Sequence, residues 1–420
     1  MSREVPEGWR TVDLGDVAKE SRARNSELSI SEERLVGVFK DQGMVPMRDR
    51  VRGTSVERCK VVRPGDFAYN PMRINIGSIA RSMADANLMV SPDYVVFSPD
   101  TNKIDGLFLD YLRKSDAWAA FVGNAGDGGV RIRIYFEHLA RFRFDLPPLH
   151  EQQRIAENLS GVDEAIAATR AVVEQTRKIK QGALERLLTK GIGHTRFQQT
   201  EIGEIPEGWE VATLEELLAD IPNPMRSGPF GSALKSEELV EAGVPFLGID
   251  NIQAEQFVSS YKRFLSEDKF QQLRRFAVNP NDVVITIMGT VGRCCVFPPD
   301  IGEAVSSKHI WAMSLRRERY IPELACWQMN FAPWIVSKFT TSAQGGIMSA
   351  INSGILRKLV FPVPGLAEQR HIFQVWQSFQ SELQLEQAKL QNLETLKSAL
   401  MSDLLTGRKR VSNALLLAAE

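Results

Sequence analysis

The stretch Leu149–Lys190 reads LHEQQRIAENLSGVDEAIAATRAVVEQTRKIKQGALERLLTK and contains no proline. Apolar or small residues recur along it in alternating steps of four and three, at Ile155, Leu159, Val162, Ile166, Thr169, Val173 and Thr176. This spacing is typical of a coiled-coil seam. Prolines precede the stretch and glycines follow it, which marks both of its ends. The sequence therefore predicts one helix, roughly 60 Å long at about 1.5 Å per residue, whose apolar stripe needs a partner.

A second stretch, Leu366–Gly407, repeats the first. Glu151-Gln152 returns as Glu368-Gln369, an offset of 217 residues (368 − 151). The same offset carries the seam onto seven positions, six of them apolar: Ile372, Trp376, Phe379, Leu383, Glu386, Leu390 and Leu393. The polar members of the two seams, Thr169 and Glu386, are interpreted as register devices or exposed ends. Two long helices in one register indicate a duplicated unit.

Short motifs repeat as well. The opening VPEGWRTVDLGDV at 5–17 returns as IPEGWEVATLEEL at 205–217, and each copy begins one half of the chain. The helix exit Leu187-Leu188-Thr189 returns as Leu404-Leu405-Thr406. The order is thus globule, helix, globule, helix.

The repeats predict an α+β protein with two mixed α/β domains and two long helices. We place the boundaries at 1–148 for the first domain, 149–191 for the central helix, 192–365 for the second domain, 366–407 for the distal helix and 408–420 for a tail. Within the domains, apolar alternation predicts strands at Leu35–Lys40, Val56–Val62, Met89–Phe97 and Ala304–Met313, and helices at Phe108–Phe121 and Glu323–Phe339.

Composition is that of an ordinary folded protein. The 420 residues are 43% hydrophobic and 25% charged, with a net charge of −1. Residues 1–148 carry 22 basic and 21 acidic side chains, a net of +1, and residues 201–365 carry 15 and 19, a net of −4. Any DNA-binding surface must therefore be local, with the acidic side chains on other faces.

Several classes of function lack a signal in the sequence. No apolar run approaches the roughly 20 residues of a membrane span, and the amino terminus has no secretory signal. The four cysteines form no Cys-x-x-Cys pair, and the five histidines show no metal-ligand spacing. GNAGDGG at 123–129 is not a phosphate or dinucleotide loop, and NPMR at 70–73 lacks most of an amino-methyltransferase motif. We expect a cytoplasmic protein without catalytic residues, cofactor or metal.

The ordered and duplicated motifs resemble the specificity subunit of type I restriction–modification systems. The residues that carry the resemblance are the paired PEGW openings, the helix starts PPLHEQQRIA and PVPGLAEQRHI, and the Leu-Leu-Thr exits. To these are added YNPMR at 69–73, SGPFGSALK at 227–235 and GTVGR at 289–293. The resemblance spans essentially the whole chain.

The resemblance implies that each globule is a target-recognition domain that reads one half of a split sequence in double-stranded DNA. It implies two helices packed as an antiparallel coiled coil, which separates the domains and docks two modification (methyltransferase) subunits. Restriction (endonuclease and translocase) subunits join that core. The specificity subunit of this family has no catalytic activity of its own.

Physical reasoning leads in the same direction. Two tandem copies can place their long helices seam to seam if one copy is inverted, which creates an internal pseudo-two-fold repeat. Duplex DNA also has local two-fold axes, so a stiff spacer would fix the gap between half-sites. Because the globules differ in sequence, the sequence predicts a split and asymmetric target. The predicted helix-pairing residues are Ile155, Leu159, Val162, Ile166, Val173, Ile372, Trp376, Phe379, Leu383 and Leu390.

Candidate DNA contacts in the first globule fall into three groups. A basic cluster offers phosphate contacts and guanine readout, at Arg48, Arg50, Arg52, Arg58, Lys60 and Arg63. Asn70, Arg73 and Asn75 alternate, and these side chains can pair with adenine and guanine. Arg131 and Arg133 follow a glycine pair. The alternatives are a solvated loop, turn capping and a solvent-exposed strand, respectively.

In the second globule the candidates centre on a glycine-rich loop, where the backbone can approach phosphate closely. They are Arg226, Ser227, Gly228, Phe230, Ser232 and Lys235, with weaker candidates at Arg293, Ser306, Ser307, Lys308, His309 and Gln344. The alternative is a tight loop without a ligand.

Two other functions remain open from the residues alone. The neutral charge balance would suit a coiled-coil adaptor that binds only proteins. A recognition subunit of a related bipartite system outside type I would share the same repeats.

Overall fold

The computed structural model describes residues 5–47, 56–124, 133–343 and 351–411. The chain divides into two compact units. The first unit holds the residues up to Ala171 together with those from Gln387 onward, and the second unit is Val172–Glu386.

The first unit contains ten strands and four short helices among its described residues. The strands are β1 Arg10–Asp13, β2 Ala18–Ser21, β3 Val36–Phe39, β4 Gly43–Pro46, β5 Lys60–Val62, β6 Phe67–Tyr69, β7 Ile79–Arg81, β8 Leu88–Val90, β9 Val95–Pro99 and β10 Arg143–Leu146. The helices are α1 Leu14–Val17, α2 Gly106–Leu112, α3 Asp116–Asn124 and α4 Phe136–Leu139. The long helix α5 Leu149–Lys190 begins here and ends in the second unit.

The second unit is built in the same way. Its strands are β11 Phe197–Thr200, β12 Gly203–Pro206, β13 Glu210–Thr213, β14 Met225–Ser227, β15 Leu239–Val240, β16 Val244–Leu247, β17 Ile252–Gln253, β18 Gln256–Phe257, β19 Phe264–Leu265, β20 Ala277–Val278, β21 Val283–Thr286, β22 Cys294–Val296, β23 Ala304–Ser306, β24 Ile310–Met313 and β25 Val360–Val363. The helices are α6 Leu214–Leu217, α7 Glu267–Leu273, α8 Pro322–Phe331, α9 Pro333–Ala343, α10 Ser353–Arg357 and the long α11 Leu366–Leu404, which ends in the first unit.

Both units contain a four-stranded antiparallel sheet with the same strand order. That order is β2-β9-β6-β7 in the first unit and β14-β24-β21-β22 in the second. The strand within each repeated opening motif also pairs antiparallel with the last strand of its unit, β1 with β10 and β13 with β25. The repeat predicted from the sequence therefore extends to the topology of the domains, although their sequences differ.

The cores of the units join sheet and helix. In the first unit Ile155 and Leu159 of α5 and Leu404 of α11 pack with Phe67 and Trp118 in one buried cluster. In the second unit Leu184, Leu188 and Ile372 pack with the strands in the same way. Each domain thus buries part of the long helices, and the apolar stripe of a helix is covered by its own chain.

The structure confirms that the two long helices pair in antiparallel fashion within each unit. In the first unit Asp163 binds Lys397 and Arg170 binds Glu394, so rising numbers on one helix meet falling numbers on the other. In the second unit Lys180 lies over the ring of Trp376, and a side chain at Gly191 would meet Glu368. Helix α5 covers the stretch Leu149–Lys190 and ends one residue before the predicted boundary at 191, whereas α11 ends at Leu404, three residues before the predicted end.

The predicted seam faces inward. Ile155, Leu159, Ile166, Val173, Ile372 and Leu383 are buried, and Val162, Trp376, Phe379 and Leu390 are half-buried. Thr169 is buried and Glu386 half-buried. Neither Thr169 nor Glu386 is therefore an exposed end of the seam.

Two lysines 217 residues apart (397 − 180) also lie along this seam. Lys180 Nζ is 2.6 Å from Glu255 Oε2, and the other oxygen of that carboxylate accepts from Trp376 Nε1. Lys397 Nζ is 2.6 Å from Asp163 Oδ1, and Oδ2 accepts from Tyr111 OH. In each unit a seam lysine and an aromatic donor share one carboxylate, which ties helix to globule.

The repeated opening and helix-start motifs meet in the structure. Trp9 Nε1 donates to Glu151 Oε2 (3.1 Å), and Trp209 Nε1 donates to Glu368 Oε2 (2.9 Å). A basic residue that follows the exit of the other long helix completes each site. Arg410 binds both oxygens of Glu151 at 2.6 and 2.7 Å, whereas His194 Nε2 is 3.0 Å from both oxygens of Glu368.

The glutamine beside each glutamate is fully buried and makes the same three contacts. Gln152 accepts from Asp105 N and donates to the carbonyls of Lys103 and Pro147. Gln369 accepts from Ile321 N and donates to the carbonyls of Arg319 and Pro364. We call these groups the anchor clusters: Trp9, Glu151, Gln152 and Arg410 in the first unit, and Trp209, Glu368, Gln369 and His194 in the second.

Glycines at the helix exits make room for the anchor clusters. Gly191 and Gly407 both have φ +65°. A Cβ on Gly191 would lie 2.7 Å from the Trp209 ring, and one on Gly407 would lie 2.5 Å from Pro6. Positive φ and close approach both require glycine here.

Other predicted elements are interrupted by turns. Met89–Phe97 is not one strand but β8 and β9, because Tyr94 N donates to Ser91 O in a turn. Ala304–Met313 is likewise split into β23 and β24, and each predicted domain helix is a pair of helices, α2 with α3 and α8 with α9. Val56–Val62 begins as a 3-10 turn, Val56–Arg58, before β5.

We predict that Gln152→Leu and Gln369→Leu each lower the free energy of unfolding by about 3 kcal/mol, because each leaves buried backbone groups without a partner. Urea unfolding monitored by tryptophan fluorescence measures this. Gln153→Leu and Gln374→Leu, at exposed positions of the same helices, are the matched controls. Equal unfolding midpoints for the buried and exposed variants would contradict the role assigned to the anchor clusters.

Candidate nucleic-acid interface

The register of the sheet in the second unit gathers three loops at one end. Ser227 pairs with Trp311, and Trp311 also pairs with Ile285, so the end of β14, the end of β21 and the start of β24 coincide. The loops that leave this end are 228–235, 287–293 and 307–309. Every candidate of the second globule described in the structure, apart from Arg226, Ser227 and Ser306, lies in one of them.

Contacts between these loops hold them together. Gly228 lies against the backbone of Ser306, where a Cβ would be 1.8 Å from the carbonyl oxygen. Ile287 N donates to His309 O (2.9 Å), and Thr286 N donates to Arg293 O (2.9 Å). The predicted glycine-rich loop is therefore part of a packed surface rather than an isolated turn.

The side chains at this end are mostly exposed and basic or aromatic. Phe230, Lys235, Arg293 and Lys308 are exposed, while Ser307 and His309 are half-buried. Arg293 Nη1 donates to Gln253 Oε1 at 2.8 Å, which orients its guanidinium.

The structure corrects the prediction that Arg226 and Ser227 contact DNA. Arg226 is 8% exposed, and its guanidinium binds the Asp282 carboxylate, the Ala277 carbonyl and Ser314 Oγ. Burial raises the pKa of Asp282, while Arg226, Ser314 and the Asn279 amide act in the opposite direction. Ser227 is also buried. These two residues fix the strand that carries the loop, and they do not form its outer surface.

The equivalent sheet end of the first unit is arranged in the same way. Ser21 pairs with Val96, and Val95 pairs with Tyr69, which in turn pairs with Ile79. The loops 22–30, 70–78 and 91–94 therefore leave one end of the sheet. Two of these loops, 22–30 and 91–94, contain none of the DNA contacts predicted from the sequence.

The loop 70–78 holds its candidates in a fixed geometry. Asn70 Oδ1 accepts from Met72 N, Ser78 N donates to Arg73 O, and Ser78 Oγ donates to Val38 O. Arg73 and Asn75 are exposed on this frame. The alternative of turn capping applies to Asn70, whereas Arg73 and Asn75 present their polar groups to solvent.

Arg133 joins the same surface. Ile134 N donates to Pro71 O at 3.0 Å, which brings the exposed Arg133 beside the loop 70–78. Exposed Tyr135 lies next along the chain, and its hydroxyl is 3.5 Å from Arg133 Nη1. The stem of Lys40, which the sequence did not single out, lies under Gly77.

The basic cluster is only partly described. Arg48, Arg50, Arg52, Arg131, Gln344 and the side chain of Ser232 lie outside the described residues. Arg58 and Arg63 are exposed, but Lys60 is half-buried and its Nζ donates to Tyr94 O (2.7 Å). Burial lowers the pKa of Lys60. Lys60 therefore supports the fold, which corrects its assignment as a phosphate contact.

Within the described ranges, no group of three or more His, Cys, Asp or Glu residues could hold a metal ion. The four cysteines are buried, and burial raises the pKa of the Cys59, Cys294 and Cys295 thiols. No described helix is long and apolar enough to cross a membrane.

Comparison with known proteins gives one family. Residues 6–175 and 206–395 both match the model of the type I restriction modification DNA specificity domain. The chain is 26% identical over 418 residues to the type I restriction enzyme MjaVIII specificity subunit of Methanocaldococcus jannaschii, covering 97% of this chain and 95% of that protein. It is 25% identical over 242 residues to the EcoBI specificity subunit of Escherichia coli, covering 54% of this chain and 49% of that protein.

Solved structures share the fold. A chain from a study of complex assembly and conformational transition of the type I R-M system matches with a TM-score of 0.59 at 20% identity, covering 96% of this chain and 99% of that chain. The type I restriction-modification S subunit from M. genitalium matches with a TM-score of 0.55 at 15% identity, covering 96% and 97%.

Measurements of folding stability can distinguish the structural role of Arg226 from the surface position of Lys308. We predict that Arg226→Met lowers the free energy of unfolding by about 3–5 kcal/mol, because Asp282 is left buried without its cation. Lys308→Met, at an exposed position, should change it by no more than about 0.5 kcal/mol. Urea unfolding of the purified chain distinguishes them, and wild-type stability of Arg226→Met would refute the structural role.

Proposed function

The chain belongs to the type I restriction–modification DNA specificity family, and on that premise we propose how it reads DNA. Each unit contacts one half of a split target in duplex DNA through the loop end of its four-stranded sheet. The observation that carries this proposal is the repetition of the site. Topologically equivalent sheet ends gather exposed basic side chains in both units, and the first sheet end adds the exposed amide of Asn75.

The chemistry of these loops suits base readout and phosphate binding. An arginine such as Arg73 can donate two hydrogen bonds to guanine O6 and N7, and Asn75 can form a bidentate pair with adenine. Exposed cations such as Arg133, Lys235 and Lys308 suit phosphate oxygens, which fix the register without specifying sequence. The fixed loop 70–78 reduces the entropy lost when these contacts form.

The two halves of the target are unlike in this proposal. The first sheet end offers Arg73, Asn75 and Arg133, and the second offers Phe230, Arg293 and Lys308. Unlike side chains select unlike bases, while the paired helices of one chain set the gap between the halves.

The long helices are the proposed docking sites for two methyltransferase subunits. Large apolar residues are exposed on them, with Val172, Ile179 and Leu385 in the second unit and Leu396 in the first. Exposed aliphatic side chains in helical series are typical of a protein interface. We propose that this chain performs no chemistry itself. Methyl transfer, and cleavage where restriction subunits join, would belong to its partners.

The family match gives no support to a protein-only adaptor or to a recognition subunit outside type I.

Duplex protection by the assembled complex tests the proposal. The chain alone should bind random duplex weakly, and the complex with methyltransferase subunits should protect two segments separated by an unprotected gap. In that complex, Arg73→Ala or Asn75→Ala should weaken specific binding by about 1–3 kcal/mol, or about 5- to 150-fold, and relax sequence preference in the first segment only. Arg10→Ala, on a strand that leads into the opposite end of the sheet, is the control. No protection by the complex would refute the DNA-reading function.

Partner docking is tested separately. Val172→Asp and Ile179→Asp, two turns apart on α5, should weaken methyltransferase binding at least tenfold, because each buries a charge in an apolar contact. Gln175→Asp, exposed on the same helix, is the matched control for charge. Titration calorimetry with the methyltransferase measures the change, and equal affinities for all three variants would exclude this face.

A further inference from the structure

The loop that follows the first strand of each four-stranded sheet exposes a large apolar side chain. In the first unit this residue is Leu28, which is 63% exposed, and in the second it is Phe230, which is 59% exposed. Since β2 and β14 occupy the same place in the strand order, the two residues leave equivalent sheet ends. Neither side chain is covered by packing within its own unit.

Leu28 is held in a strained conformation. Its φ is +54°, a left-handed value that is unfavourable for a leucine by about 1–2 kcal/mol. The buried Asn25 maintains the loop, because its side chain both donates to Ile30 O and accepts from Ile30 N at 3.0 Å, and its carbonyl accepts from Leu28 N. A strained backbone that its surroundings hold in place, at a residue whose side chain is exposed, indicates a functional position.

Phe230 is presented by a different device. The residues before it, from Ser227 to Pro229, are buried, and Gly228 lies directly on the backbone of Ser306. The chain then turns at Gly231, with φ +58°, and Ala233 N donates to Phe230 O (3.2 Å). Phe230 is therefore the first residue after this buried segment whose side chain is exposed to solvent.

Exposed cations lie at the same sheet end as each side chain. Arg22 and Arg24 are exposed before Leu28, and Arg24 Nη1 donates to Arg58 O at 2.7 Å, which links this loop to the basic segment. Lys235 and Lys308 are exposed near Phe230. An apolar tip among cations fits DNA, where phosphates surround a stack of apolar base faces.

We propose that Leu28 and Phe230 are apolar wedges, each of which enters between two base pairs in its own half of the target. This inference rests on the proposed function and adds a role that hydrogen-bonding side chains cannot supply. Separating a base step costs a few kcal/mol and costs least at flexible pyrimidine–purine steps. Each wedge therefore selects deformable steps, at positions where no side chain reads a base edge.

The test uses the complex with methyltransferase subunits and a duplex whose target comes from the methylated adenines of the host genome. The fluorescent base 2-aminopurine is placed in turn along each half, since its emission rises when it is unstacked. The wild-type complex should raise the emission at one step in each half. Leu28→Gly should remove the rise in the first half only, Phe230→Ser in the second half only, and each should weaken binding about tenfold or more.

One stability measurement and one further variant keep the test independent of folding. Leu28→Gly relieves the strain at positive φ, so the unfolding midpoint should stay the same or rise while the wedge is lost. Phe230→Trp should retain the signal of the second half. A target adenine that the methyltransferase turns out of the helix also raises emission, but that rise should persist in every variant.

The outcomes separate this inference from the proposed function. Tight bipartite binding without any emission change that depends on Leu28 or Phe230 overturns the wedges and leaves DNA reading intact. Loss of methyltransferase from the complex in either variant overturns them also, because the side chain would then be a protein contact. A wild-type complex that binds no split duplex refutes the proposed function itself.

Discussion

The fold depends on one carboxylate in each unit, at the start of each long helix; Glu151 is buried and Glu368 is half-buried. Glu151 receives a hydrogen bond from the Trp9 indole and two from Arg410, and Glu368 receives contacts from Trp209 and His194. The neighbouring glutamine binds the backbone of the globule. The start of a domain, the start of one long helix and the segment after the other thus meet at a single polar site. Because buried polar groups are costly unless fully paired, each site specifies one arrangement of its three segments.

The sequence was sufficient to predict this framework because the signals for it are local and doubled. Helix α5 ends within one residue of its predicted bounds, since its period-3.5 seam and the prolines and glycines beside its ends are local signals. The offset of 217 residues placed Trp376 and Leu383 on the second seam, where Trp376 is half-buried and Leu383 is buried. It could not show that Trp9 reaches Glu151, because a long-range contact leaves no periodic pattern. Met89–Phe97 was predicted as one strand although Ser91-Pro92-Asp93 is typical of a turn, because the apolar residues on either side were taken as a single run.

The site was predictable in composition but not in detail. Arg73 and Asn75 were identified by residue type, and the structure holds them on an exposed loop. Arg226 has the same chemistry, yet it is buried against Asp282, and only the fold distinguishes the two arginines. Leu28 was missed because a leucine gives no sign that its backbone will be left-handed. The convergence of three loops at one sheet end follows from strand register, which depends on pairing between segments far apart in sequence.

Because the two units share one framework but carry different loops, the DNA target should consist of two different halves. Sequencing that detects methylated adenines, applied to cells that contain this chain and its methyltransferase, tests it most directly. The account predicts a single motif of two specified segments with different sequences, separated by an unspecified gap of constant length. A continuous motif, two identical halves or a gap of variable length would contradict it.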